Sequence, residues 1–305
     1  MRTVSQWIDW ATRRFEAAGL HYGHGTDNSR DEAAWLVLHA LGESPDGGAD
    51  SRSKVVDPSR AEAIERLVGE RIESRRPAAY LTGSAWFAGL EFEVGPQVLV
   101  PRSPIAELIV DGFEPWIEAA AIKSILDLGT GSGCIAIACA LRFPAARVVA
   151  SDISEEALAV ARRNVDRHGV ADRVRLVRSD LFDSLGGGKY DLIVSNPPYV
   201  PDRRLRELPE EFRAEPAVGL VSGMEGLEIP LRILARAGEH LDAGGVLVCE
   251  VGESRDRLQK DLPKVPFLWL EFSSGGEGVL LLERAHLDEA GAAAAAQLRK
   301  RQGVT

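Results

Sequence analysis

The chain has 305 residues, roughly two domains at ~150 residues each. Hydrophobic residues supply 45% and charged residues 27%, a balance that excludes a disordered, collagen-like or disulfide-scaffold protein. Lys and Arg number 36 against 46 Asp and Glu, giving a net charge of −10 that disfavours a generic nucleic-acid binder, whose affinity comes from basic groups on phosphate.

The first 75 residues carry helical periodicity. Val4, Trp7, Ile8, Ala11 and Phe15 fall on one face, and a second apolar run from Ala33 to Leu41 stops at Gly42. Residues 42–53 have loop composition. A third helix is expected from Asp57-Pro58, with Asp as cap and Pro in the first turn, burying Ile64, Leu67, Val68 and Ile72. Pro77 ends this helical part. Residues 84–100 alternate partly and turn at Gly95-Pro96, which predicts a β-hairpin.

From about Ser124 short apolar strands alternate with helical stretches. The predicted strands are SILDL, RVVAS, VRLVR, YDLIVS and GVLVCEV, with helices near 133–143, 154–168 and 226–241. Such alternation implies an α/β fold, a parallel sheet covered by helices on both faces. Two more strands, over 267–272 and 278–282, flank the SSGGEG turn and would pair antiparallel at one edge. The Ala-rich tail beyond residue 284 reads as a frayed helix or as disorder.

Between the first of these strands and its helix lies Asp127-Leu128-Gly129-Thr130-Gly131-Ser132-Gly133. Glycines there let the chain turn sharply and let a ligand approach the backbone. The spacing is GxGxG and no P-loop Lys follows, so a nucleoside triphosphate is disfavoured. The second strand ends in Asp152-Ile153, where an acid can accept from both ribose hydroxyls, and the third is followed by Asp180-Leu181, placed for an adenine amine. Asp127 could hold an ammonium group through water. An adenosine ligand bearing an amino-acid moiety satisfies all of these positions.

The fourth strand runs into Asn196-Pro197-Pro198-Tyr199. Two prolines end the ladder and stiffen the turn. The Asn amide oxygen and the Pro197 carbonyl can then face one planar NH₂ group, fix its lone pair toward an electrophilic methyl and favour pyramidal nitrogen in the transition state. Tyr199 would stack on the flat acceptor.

Taken together, DLGTGSG and NPPY resemble the amino-methyltransferases that use S-adenosylmethionine. WFAGLEFEVGPQVLVPRSPIAEL looks like the protein-glutamine branch, and Pro101-Arg102-Ser103-Pro104-Ile105 resembles the enzymes that methylate a glutamine of large-subunit ribosomal protein L three, where the release-factor enzymes have PRPET. YGHGTDNSRDEA, FRAEPAVGLVSGMEGLEI, CEVG and FLWLEFSSGGEGV are similar to that branch as well. The resemblance spans about residues 2–283. It implies a Rossmann-like class I methyltransferase fold with a seven-stranded, mostly parallel sheet and an antiparallel edge strand. Cofactor binding would fall to residues 129–133, Asp152, Asp180-Leu181 and Asn196, with the glutamine held by 196–199 and the ribosomal protein as substrate. Leu181 stands where the release-factor branch often has Trp against adenine.

The expected division is a helical substrate-recognition domain over 1–75, a hairpin connector over 76–105, the methyltransferase domain over 106–284 and the tail over 285–305. The rivals are release-factor glutamine methylation, DNA adenine methylation and a non-catalytic adapter. No stretch approaches the roughly 20 apolar residues of a membrane span, so the chain reads as cytoplasmic with no membrane or stable nucleic-acid partner. Cys134, Cys139 and Cys249 lie in apolar runs and read as buried thiols. His21 and His24 lack a third ligand at sensible spacing, and the mechanism needs no metal, so a structural or docking role is expected for them.

Overall fold

The computed structural model describes residues 1–43, 52–273 and 275–301; most of the expected 42–53 loop lies outside the described residues. Helix α1 (Val4–Ala17) starts at Thr3, whose hydroxyl accepts from the Gln6 N–H while the Gln6 side chain accepts from the Thr3 N–H. It buries the predicted face. Asn28 caps α2 (Ser29–Ala40), and Asp57 caps α3 (Pro58–Ser74) with Pro58 in the first turn. The three helices enclose one apolar cluster around Phe15, Leu36, Ile64 and Val68. On α3, Leu67 and Ile72 are half-buried, whereas Arg71, a charge the apolar pattern does not reveal, is fully buried.

The turn into the next part is made by α4 (Ala78–Thr82). Ala78 packs with the first three helices, while Ala79 and Tyr80 pack with Val94, Val98 and Val100, so the chain passes between two cores within one short helix. The hairpin then pairs β1 (Ser84–Phe87) with β2 (Leu90–Glu93). Its turn is Ala88-Gly89, not the expected Gly95-Pro96. A type I′ two-residue hairpin loop needs left-handed backbone at both positions, and Ala88 and Gly89 have φ of 49° and 75°. Pro96 cannot adopt that φ and instead opens the exit from the hairpin.

Seven strands follow: β3 (Ser124–Leu128), β4 (Arg147–Asp152), β5 (Val174–Arg178), β6 (Tyr190–Ser195), β7 (Leu241–Glu250), β8 (Leu268–Leu270) and β9 (Val279–Glu283), in the sheet order β5-β4-β3-β6-β7-β9-β8. The first five are parallel, and β9 is reversed and sits between β7 and β8. One face is covered by α5 (Ile105–Asp111), α6 (Cys134–Arg142) and α7 (Glu155–Arg167). After two single-turn helices, α8 (Glu210–Arg213) and α9 (Ala217–Leu220), the other face is covered by α10 (Glu228–His240), α11 (Arg255–Asp261) and α12 (Arg284–Arg301).

Helix α12 is the Ala-rich tail. It is neither frayed nor loose through Arg301, because its small residues form a packing stripe. Leu287, Ala290, Gly291 and Ala294 are buried at the 3,4 spacing, and a Cβ on Gly291 would stand 3.2 Å from the carbonyls of Leu234 and Ala235 on α10. Alanine and glycine let the two helices approach closely, which composition alone does not distinguish from low complexity.

Parallel register sets up the functional edge. Leu128 pairs with Ser151 and with Ser195, and Ser195 pairs with Cys249. The residues that follow, Gly129, Asp152, Asn196 and Glu250, therefore emerge side by side where the strands end.

Candidate active site

Leaving β3, the glycine loop doubles back over the end of β4: the N–H groups of Gly129 and Thr130 both donate to the Ser151 carbonyl, at 2.8 and 2.9 Å. A Cβ added at Gly129 or Gly131 would meet nothing within 4 Å, whereas at Gly133 it would stand 3.2 Å from Ala161 and Ile137. The first two glycines thus face open space, and the third allows α6 to sit against α7.

Asp127 lies beneath this loop with no exposed surface. Its Oδ2 accepts from the Thr130 hydroxyl at 2.6 Å and the Ala136 N–H at 3.2 Å, and its Oδ1 has no partner. Burial pushes its carboxyl up to about 7 despite those two donors. Asp127 shapes the loop from below and does not reach the cavity wall. Asp152 does reach it: one oxygen accepts from the Gly131 N–H and the other from the Ser154 N–H, both at 2.9 Å. Its acid is raised by burial, which those donors oppose. Asp180 receives the Arg232 guanidinium from α10 at 2.8 Å, and Leu181 beside it holds a left-handed φ of 49°.

The Asn196-Pro197-Pro198-Tyr199 turn faces the loop across the same space. Among the described residues the Asn196 amide has no hydrogen-bond partner. Tyr199 is held firmly: its hydroxyl donates to Glu250 Oε1 at 2.7 Å, and its carbonyl accepts from the Ser254 hydroxyl at 3.1 Å. Its ring lies so close to Gly252 that a Cβ there would come within 2.6 Å. The other oxygen of Glu250 accepts from the Ser103 hydroxyl at 2.5 Å. Burial raises the Glu250 acid, and burial together with the Glu250 charge raises the Tyr199 hydroxyl well above its ordinary value.

A second buried acid ties the hairpin exit to the N-terminal helices. Glu215 accepts both Arg102 guanidinium nitrogens at 2.6 and 2.7 Å and the Val100 N–H at 2.9 Å. His24 Nε2 lies 3.5 Å from the Glu215 oxygen that also takes the second Arg102 nitrogen, and the His24 ring is 4.3 Å from that of Phe212. Desolvation alone would raise the Glu215 acid, but its His24 and Arg102 partners together hold it down to about 2, while burial lowers His24. Four residues earlier, Glu211 faces Arg71 at 3.7 Å and Arg75 at 3.1 Å. His24 and Arg71 therefore anchor the 209–216 segment, whose Phe212 and Pro216 line the cavity.

That cavity measures about 760 Å³. Of the sequence-predicted site residues, 129–132, 152–153, 180–181 and 196–199 line it, while Asp127 and Gly133 stand behind its wall. Sequence reasoning missed Arg232 and Glu250 as wall residues, and Glu215 behind them. For Glu250 the local signal was an acid inside the otherwise apolar run GVLVCEV.

Fold and cavity define a Rossmann-like class I methyltransferase. Residues 6–83 match the PrmC N-terminal domain family and residues 107–223 the methyltransferase small domain family. The ribosomal protein uL3 glutamine methyltransferase of Xylella fastidiosa (strain Temecula1) is 48% identical over 300 residues, covering 97% of this chain and 96% of that one. Its counterpart from Xanthomonas campestris pv. campestris is 48% identical over 284 residues, 93% of this chain and 92% of that one. The chain belongs to the ribosomal protein uL3 glutamine methyltransferase family. The hMettl16 catalytic domain, solved with a MAT2A 3'UTR hairpin, shares the fold at a TM-score of 0.52 and 17% identity, over 81% of this chain and 91% of that one. Among the described residues no helix is long and apolar enough to cross a membrane.

Proposed function

We propose that the protein transfers a methyl group from S-adenosylmethionine to the side-chain amide nitrogen of a glutamine in ribosomal protein uL3. The carrying observation is that an unpartnered Asn196 amide and an open glycine loop share the walls of one cavity. The donor set suits this cofactor. Gly129 to Ser132 leave room for backbone approach, Asp152 and Ile153 meet the ribose edge, and Asp180-Leu181 meet the base. S-adenosylmethionine supplies a methyl made electrophilic by its sulfonium sulfur.

The chain's own residues do the rest. The Asn196 amide oxygen and the Pro197 carbonyl accept the two N–H bonds of the glutamine amide and turn its lone pair out of conjugation. Pro198 stiffens the turn, and Tyr199 forms the flat wall beside the acceptor. No strong base is required, because the surplus proton becomes acidic once the fourth bond to nitrogen forms.

A glutamine amide is small and common, so selection of one protein needs contacts remote from the chemistry. The N-terminal helices over 1–75 fill that role in this reading, with the net charge of −10 attracting a basic ribosomal protein, in the cytoplasm where ribosomes are built. Label transfer from S-adenosylmethionine to purified uL3, run beside a release factor, tests the assignment. Labelling of the release factor alone overturns it.

A further inference from the structure

Glu250 does something that neither strand geometry nor cofactor binding requires. It closes β7 beside Asn196, one position past the Ser195–Cys249 pair, and 5% of its surface is exposed. A carboxylate so buried is costly unless it is fully engaged. It takes the Tyr199 hydroxyl on one oxygen and the Ser103 hydroxyl on the other. Ser103 in turn accepts from the Ile105 N–H at the start of α5. One side chain thus joins the acceptor turn, 51 residues away in sequence, to the hairpin exit, 147 residues away.

We propose that Glu250 is a positioning residue for methyl transfer, fixing the Tyr199 ring so that the acceptor amide is presented to Asn196 in one orientation. It rests on the function proposed above. Gly252 supplies a second constraint along the Cδ2–Cε2–Cζ edge of the ring, with a φ of 47° and no room for a Cβ. Between them the ring cannot swing away from the cavity wall.

The test is a double-substitution cycle read by rate. Glu250→Gln keeps the shape but replaces one acceptor oxygen with a donor NH₂. It is expected to lower kcat for uL3 methylation roughly tenfold or more, since small misplacements at a reacting centre are costly. S-adenosylmethionine affinity by calorimetry and the melting temperature should stay close to those of the parent. In a Tyr199→Phe background the same change should cost less than about threefold, because the link it breaks is already gone. Full activity in E250Q overturns the assignment, as does a loss that multiplies through in the Tyr199→Phe background or appears as weakened S-adenosylmethionine binding. Absence of transfer by the unsubstituted protein overturns the function proposed above and this assignment with it. Transfer by the unsubstituted protein that E250Q leaves undiminished overturns this assignment alone.

Discussion

Arg71→Met should unfasten the N-terminal helices from the cavity wall, and the structure sets the size of the effect. Arg71 is fully buried, and its partners Glu32 and Glu211 are 1% and 2% exposed. Glu211 keeps the His21 N–H at 3.0 Å and Arg75 at 3.1 Å when Arg71 is lost. Glu32 keeps only the Thr26 hydroxyl at 3.4 Å. The cost is therefore that of one stranded buried carboxylate, about 3–5 kcal/mol at pH 7, a large part of the ~5–15 kcal/mol that holds a typical domain folded. Glu32 already has its acid raised by burial, and removing Arg71 raises it further. An acid whose folded pKa is raised costs nothing below its unfolded value, and its penalty grows as pH climbs from there toward the folded value, above which it is fully felt. The deficit should accordingly shrink as pH falls from 7 toward 4. Glu32→Gln added to Arg71→Met should restore part of the loss. Urea unfolding at pH 7 and pH 5 measures both. A single-variant loss below about 1 kcal/mol, or a double variant no better than the single, would refute the reasoning.

Three further outcomes are expected. Asn196→Ala should abolish methyl transfer while S-adenosylmethionine affinity falls less than about tenfold, or ~1.4 kcal/mol, by calorimetry beside a rate assay; retained turnover contradicts it. Asp152→Ala should weaken cofactor binding first, by roughly 1.5–3 kcal/mol, because the carboxylate both anchors the Gly131 N–H and faces the cavity; unchanged affinity would reduce it to a helix-capping acid. Association with uL3 should slow as salt rises, since exposed charges are screened beyond ~10 Å at 0.1 M, and stopped-flow rates independent of salt would remove charge from the account.

What was legible in the sequence is what lies on contiguous chain. The glycine loop and the 196–199 turn each join a strand to the segment after it, so their spacing carries their geometry, and the sheet strands follow from their apolar runs. The hairpin turn misled because Ala88 adopts a positive φ that composition assigns to glycine, while Gly95-Pro96 looks like a turn and is an exit. The tail misled because an alanine run reads as low complexity until α10 is there to receive it. Arg71, Glu215 and Glu250 were invisible for a different reason. Each is a charge in an apolar place, made tolerable only by partners 39 to 147 residues distant. Deleting residues 1–75 would strand Glu211, whose His21, Arg71 and Arg75 partners all lie there, and would take His24 from Glu215, so exposed substitutions on the helices report on docking more cleanly than truncation.

The central claim is that an acceptor amide sits against Asn196 opposite a bound methyl donor. The most direct measurement is site-resolved mass spectrometry of uL3 after incubation with the protein and S-adenosylmethionine, run in parallel with Asn196→Ala. The account predicts one added methyl on a glutamine side chain of uL3, absent with the variant. A methyl on any other residue type, or on glutamine in both reactions, would contradict it.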